Sequence, residues 1–170
     1  MGWDVVMQSP WVLSAVAVAV ALPLAAAAPA APADPTAEQI IAARQASLDM
    51  SSITLAEMKE AAKGGKDPKT QVYYAAALAK WAGALPTLFP AGTGAEAGVP
   101  TRAKPEIWTD RAGFDQRAAE YRTAVERLRD LARAGDADGF KAQVQTVDMA
   151  CDACHDTYKV QPAASPKAAS

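Results

Sequence analysis

The stretch FKAQVQTVDMACDACHDTY, from Phe140 to Tyr158, holds both cysteines and the only histidine of a 170-residue chain. Phe140, Val144, Val147, Cys151, Cys154 and Tyr158 recur at alternating steps of four and three residues, the spacing of one helix face. Within that face, Cys151-x-x-Cys154-His155 is the attachment signature of c-type haem. The chemistry sets the spacing. Two thiols add covalently to the two vinyl groups of one porphyrin, and the next residue reaches under the ring to offer an imidazole nitrogen to the iron. His155 lies about one turn beyond Cys151, so the motif falls on the inward face of the last helix.

Two other chemistries use these residue types. A redox C-x-x-C pair follows a strand in a βαβ setting, and no strand pattern is visible. A structural zinc wants four ligands, and with only Cys151, Cys154 and His155 at hand a carboxylate would have to complete the set. Covalent haem is therefore the expected cofactor, one per chain through two thioethers, with His155 as the iron ligand.

Upstream the pattern stays helical. Thr36 to Lys63 carries the seam Ile41, Arg44, Leu48, Ser51, Leu55, Met58, Ala62, and Gly64-Gly65 ends it. Asp67-Pro68 supplies a cap and a first-turn proline for a second helix reaching about Leu85, with Val72, Leu78 and Trp81 as core candidates. Pro86 to Lys104 has proline, glycine and threonine without periodicity and reads as a long crossover loop. A third helix runs from near Pro105 to about Ala134 on the seam Phe114, Ala118, Tyr121, Val125, Leu128, Ala132. Gly135 closes it and Asp136 caps the fourth. Two helix pairs with short turns and one long crossover make an all-α, antiparallel four-helix bundle, whose core is where such bundles hold cofactors.

Composition agrees. Alanine is abundant and β-branched residues are few, which favours helix. A net charge of −2, with charged residues spread along the chain, leaves no footprint for nucleic acid. Trp11 to Leu24 is an apolar run, followed by AAAAPAAPADP. This reads as a secretory signal peptide over residues 1–33, with cleavage after Ala30 or Ala33 favoured over Ala28, where proline follows. The leading segment lacks Lys and Arg, which is atypical. An uncleaved anchor fits less well, because the run is short and Pro23 interrupts it. The expected domain is 34–160, followed by a disordered tail, 161–170. Export also suits haem attachment, which takes place outside the bacterial inner membrane.

Arg44 stands out on the first seam. A guanidinium facing a core needs an anionic partner. A haem propionate would serve, since Arg binds carboxylates in a bidentate way. The alternatives are that Arg44 reaches solvent along its stem or pairs with a nearby Glu.

Several stretches converge on one family. Arg44-Gln45-Ala46-Ser47-Leu48, Ala84-Leu85-Pro86, Lys104-Pro105-Glu106-Ile107-Trp108, Ala134-Gly135-Asp136 and Cys151 to Tyr158 resemble cytochrome c′, the class II c-type cytochromes. The resemblance covers roughly residues 36–160. It implies a pentacoordinate iron held by His155, with Arg44 and Gln45 as propionate partners and Leu48 over the open face of the iron. Tyr121, on the third seam, is placed with the cofactor-binding residues. The residue four after the haem histidine is usually Arg in the family. Here it is Lys159, which keeps the charge but loses the planar guanidinium. The aromatic that follows the Leu-Pro step is replaced by Thr87, and Phe89 is expected to take its place.

The resemblance implies a periplasmic, non-enzymatic haem protein that binds nitric oxide and CO, with electron transfer to redox partner proteins as a further role. Leu48 offers bulk and no hydrogen bond, so O₂, which gains from a distal donor, is disfavoured. The alternative is a low-spin His/Met electron carrier. Its candidate ligands are poorly placed. Met50 is about 200° around the helix from Leu48, Met58 is about 15 Å along it, and Met149 shares a helix with His155. A peroxidase-like enzyme would need a distal acid–base group, and no second histidine exists. The family's homodimers use the first two helices, and Met50 and Ile53 lie off the haem-facing seam.

Overall fold

The computed structural model describes residues 33–161. The apolar run Trp11–Leu24, the candidate cleavage sites after Ala28 and Ala30, and nearly all of the expected C-terminal tail lie outside the described residues. Among the described residues no helix is long and apolar enough to cross a membrane.

Helix α1 (Ala37–Lys63) begins with a reciprocal cap. Thr36 Oγ1 accepts from the Gln39 amide at 3.2 Å, and Gln39 Oε1 accepts from the Thr36 amide at 2.9 Å. It ends where Gly65 takes a positive φ of 66°, letting the Lys66 amide return to the Ala61 carbonyl at 3.0 Å. Asp67 caps a short 3₁₀ turn, Pro68–Gln71, which leads into α2 (Val72–Ala84). The crossover contains two more 3₁₀ turns, Leu85–Leu88 and Ala95–Ala97.

The expected third helix is broken in two. A single turn, α3 (Glu106–Thr109), precedes α4 (Arg111–Ala134). The break is Asp110, whose φ of −117° and ψ of 56° leave the helical region while its carboxylate caps α4 by accepting from the Gly113 amide at 3.2 Å. An Asp side chain that can bond the backbone three residues on competes with helix continuation. Gly135, with φ 73°, ends α4, and Asp136 caps α5 (Ala137–Tyr158) by accepting from the Gly139 amide.

The four long helices, α1, α2, α4 and α5, form the bundle. Helix α4 packs most extensively against α5 and α2, while α1 completes the ring by touching α5 and α2. The expected α4 seam is buried throughout, from Phe114 to Ala132. On α5, Phe140, Val144, Val147 and Tyr158 are buried, and the two cysteines are half-buried. Two α1 expectations change: Ala61 rather than Ala62 is fully buried, and Leu48 and Ser51 are half-buried. Leu48 and Ser51 face a cavity rather than packed side chains.

Candidate functional site

Helices α1 and α5 run antiparallel: Lys59 Nζ, near the end of α1, meets Asp148 Oδ2 at 2.7 Å, and the earlier α1 residues Arg44 and Leu48 share a cavity with His155 and Lys159 at the end of α5. Between them lies a cavity of about 540 Å³, within the range of cofactor sites. Helix α1 lines it with Arg44, Gln45, Leu48, Leu55 and their neighbours. Trp81 lines it from α2, Phe114, Ala118 and Tyr121 from α4, and Cys151, Cys154, His155 and Lys159 from α5 and its end. All eight residues singled out in the sequence therefore meet on one cavity wall or another. Phe89, the expected substitute aromatic, also lines it and is buried.

The crossover is what holds the motif end of α5. Lys104 N donates to the Tyr158 carbonyl at 3.0 Å and Val160 N donates to the Arg102 carbonyl at 2.8 Å, an isolated antiparallel bridge centred on Ala103 and Lys159. Residues far apart in sequence are thus locked beside His155.

Arg44 is 2 % exposed. Its NH1 donates to Thr93 Oγ1 at 3.0 Å and to the Leu88 carbonyl at 3.4 Å. Its NH2 donates to the Thr93 carbonyl at 2.9 Å and to Thr101 Oγ1 at 3.0 Å. The guanidinium carbon sits 4.6 Å from the Phe89 ring centroid. Arg44 therefore neither reaches solvent nor pairs with a Glu. It organises the crossover, and burial pushes its pKa down because no carboxylate among the described residues neutralises it. Gln45 also holds the crossover, donating from Nε2 to the Pro100 carbonyl at 3.0 Å. The sequence gives no sign of Thr93 and Thr101 as the partners of Arg44. A loop without periodicity carries no signal of which residue folds back.

The motif's own electrostatics argue against the rival chemistries. Burial, with Asp148 next, pushes the Cys151 thiol up to about 11, and burial likewise raises Cys154. A redox C-x-x-C pair needs the opposite shift. Among the described residues no cluster of three or more His, Cys, Asp or Glu is arranged to hold a metal ion. The two thiols are free and a step of three apart on the cavity wall. His155 is half-buried, its imidazole is without a hydrogen bond among the described residues, and burial followed by the Lys159 charge keeps its pKa low. A neutral imidazole is the form that ligates metal. Lys159 is half-buried, its pKa lowered by burial and then by Arg102.

The residues present fit a haem. Two thiols and a neutral imidazole share one face, the cavity is mostly apolar, and an uncompensated buried cation, Arg44, borders it. A four-helix bundle with this motif on its cavity wall defines a bundle-type c cytochrome. The family profile described as Cytochrome C′ matches residues 39–159, and the chain belongs to that family. Its cofactor is c-type haem.

Cytochrome c′ of Rubrivivax gelatinosus is 40 % identical over 68 residues, 40 % of this chain and 53 % of the relative. The chain thus aligns with about half the length of that curated relative. The crystal structure of the Rubrivivax gelatinosus protein is similar with a TM-score of 0.67 at 29 % identity, covering 74 % of this chain and 98 % of that one. The nitric oxide complex of a leucine-to-alanine mutant of cytochrome c prime from Alcaligenes xylosoxidans gives a TM-score of 0.68 at 26 % identity, covering 75 % and 98 %.

Proposed function

We propose that this chain is a periplasmic, non-enzymatic haem protein with a pentacoordinate high-spin iron that binds nitric oxide and CO. Cys151 and Cys154 form the two thioethers and His155 supplies the single protein ligand. When bound, the haem supplies an iron with one open coordination position for a diatomic gas. Arg44 brings a positive charge to the cavity edge for a propionate, and Gln45 lies beside it. Lys159 keeps a cation on the His155 end of α5. Leu48 covers the open position with hydrocarbon, which cannot ligate and offers bound O₂ no hydrogen bond.

One observation carries this reading: Leu48 lines the cavity, and among the described residues no methionine does. Met58 is buried in the core away from the cavity, and Met50 and Met149 are exposed. This disfavours a His/Met carrier. The relative solved with nitric oxide supports the choice of gas. Electron exchange with redox partner proteins is compatible with an open site, and the same export that delivers the chain to its haem places it in the periplasm.

Absorption spectra of the haem-loaded protein test the reading. A broad high-spin ferrous Soret band that changes on adding nitric oxide is expected. Sharp α and β bands, unaltered by the gas, would establish the low-spin carrier instead.

A further inference from the structure

Tyr158 is the last residue of the α5 face that carries the haem motif. It lies four residues after Cys154, one turn of the helix or about 6 Å along it. It lines the same cavity and is 4 % exposed. Phe114 holds its ring edge to face, with centroids 5.4 Å apart. Its hydroxyl donates to Asp110 Oδ2 at 2.8 Å. Asp110 is itself exposed, and its other oxygen accepts from the Gly113 amide at 3.2 Å. A carboxyl group that only accepts has the bonding pattern of the ionised form. The other tyrosines each lack part of this arrangement. Tyr73 and Tyr74 are exposed on α2, away from the cavity. Tyr121 lines the cavity, but among the described residues no carboxylate accepts a hydrogen bond from it.

A phenol that loses an electron becomes a strong acid. In a buried setting the charged intermediate is costly, so the electron leaves readily only where a base already holds the hydroxyl. Tyr158 has that base, and the base is open to solvent, so the proton has an exit. Electron transfer, unlike a hydrogen bond, needs no contact with the cofactor, and a place one turn from the thioether residue Cys154 suffices. We propose that Tyr158 is redox-active: when the ferric protein meets a hydroperoxide, Tyr158 gives one electron to the haem and its proton to Asp110 Oδ2. The O–O bond of hydrogen peroxide breaks. One oxygen leaves as water with both hydrogens, and the other stays on the iron. Of the two electrons this takes, one comes from the iron and one from Tyr158, which is left as a neutral phenoxyl radical beside a protonated Asp110. The reaction is stoichiometric rather than a turnover, and it draws an oxidising equivalent off the porphyrin and its thioethers. The inference rests on the open coordination position proposed above.

The test is electron paramagnetic resonance of the ferric, haem-loaded protein, freeze-quenched after mixing with hydrogen peroxide, with the absorption spectrum recorded alongside. A tyrosyl signal is expected in the unmutated protein and should be lost in Tyr158→Phe. Asp110→Asn keeps a cap for α4, because Asn serves there as well as Asp, but an amide cannot take the proton. The signal should then build up about a hundredfold more slowly, the low end for loss of a positioned base. A purely structural Asp110 would leave that rate alone. An undiminished signal in Tyr158→Phe overturns the inference, and so does an unslowed rise in Asp110→Asn. A high-spin ferric spectrum with no tyrosyl signal after peroxide, whether or not the Soret band moves, overturns it too and leaves the open position standing. A low-spin resting spectrum overturns the open position, and this inference with it.

Discussion

The Tyr158 hydroxyl donates to Asp110 Oδ2 at 2.8 Å, while Asp110 Oδ1 accepts from the Gly113 amide at 3.2 Å. One carboxylate therefore both starts α4 and holds the last turn of the helix that carries Cys151, Cys154 and His155. Tyr158→Phe should cost about 1 kcal/mol of folding stability, and Asp110→Ala about 2 kcal/mol because the cap is lost too. The double mutant should cost less than the sum, measured by urea unfolding. The same bond has a pH signature. Burial first, then the Asp110 hydrogen bond, pushes the Tyr158 phenol from 10.0 up to about 12. Its folded pKa lies above the unfolded one, so this stability is complete below pH 10 and is lost as pH climbs towards 12. Tyr158→Phe should flatten that loss.

Covalent attachment predicts one haem of added mass that survives denaturation, read by mass spectrometry of protein made where the attachment machinery operates. Cys151→Ala or Cys154→Ala should leave one thioether or weaken loading. Bare polypeptide mass in the unmutated chain would refute the site assignment.

Leu48→Ala should speed CO association, because the methyl groups crowding the open position are removed. Leu48→Met should shift the spectrum towards low spin, since a thioether ligates haem iron. Stopped-flow and absorption measurements decide both. Unchanged CO kinetics in Leu48→Ala would transfer the gating role to another residue.

Arg44→Ala should destabilise the protein by about 2–4 kcal/mol, since it strips donors from Thr93, Thr101 and Leu88 in a buried setting. Arg44→Lys should recover only a small part, because an ammonium cannot reproduce the planar fork that reaches all these acceptors. Thermal unfolding of the two variants gives the comparison.

Met50 and Ile53 are 61 % and 62 % exposed on α1, and Tyr73 at the start of α2 is more exposed still. This apolar surface fits an isologous contact between two copies through the first two helices. Sedimentation at micromolar concentration should show a dimer, and Ile53→Lys should shift it to monomer without altering the haem spectrum. A single monomer-sized species for the unmutated chain would remove the dimer and leave the haem chemistry intact.

The helices and the haem motif were legible because they are written locally. Thr36 with Gln39, Gly135 and Asp136 are caps within a turn of the helix they bound, and the α4 and α5 seams repeat every three or four residues. The spacing of Cys151, Cys154 and His155 is likewise a local fact. Asp110 gives no local sign of the break in the expected third helix, because aspartate is tolerated inside helices as well as at their starts. Its partner Tyr158, 48 residues away, favours the cap.

The sequence by itself determined four amphipathic helices, their order, and a haem motif on the inward face of the last. It also placed a cation, Arg44, on a seam where one does not belong. Only the tertiary structure decided what surrounds that cation, since Thr93 and Thr101 reach it through a crossover with no periodic pattern. The structure alone also brought the Trp81 and Tyr121 rings together, edge to face on the cavity wall. Periodicity reports which face of a helix is buried, but not which side chains will meet across the core.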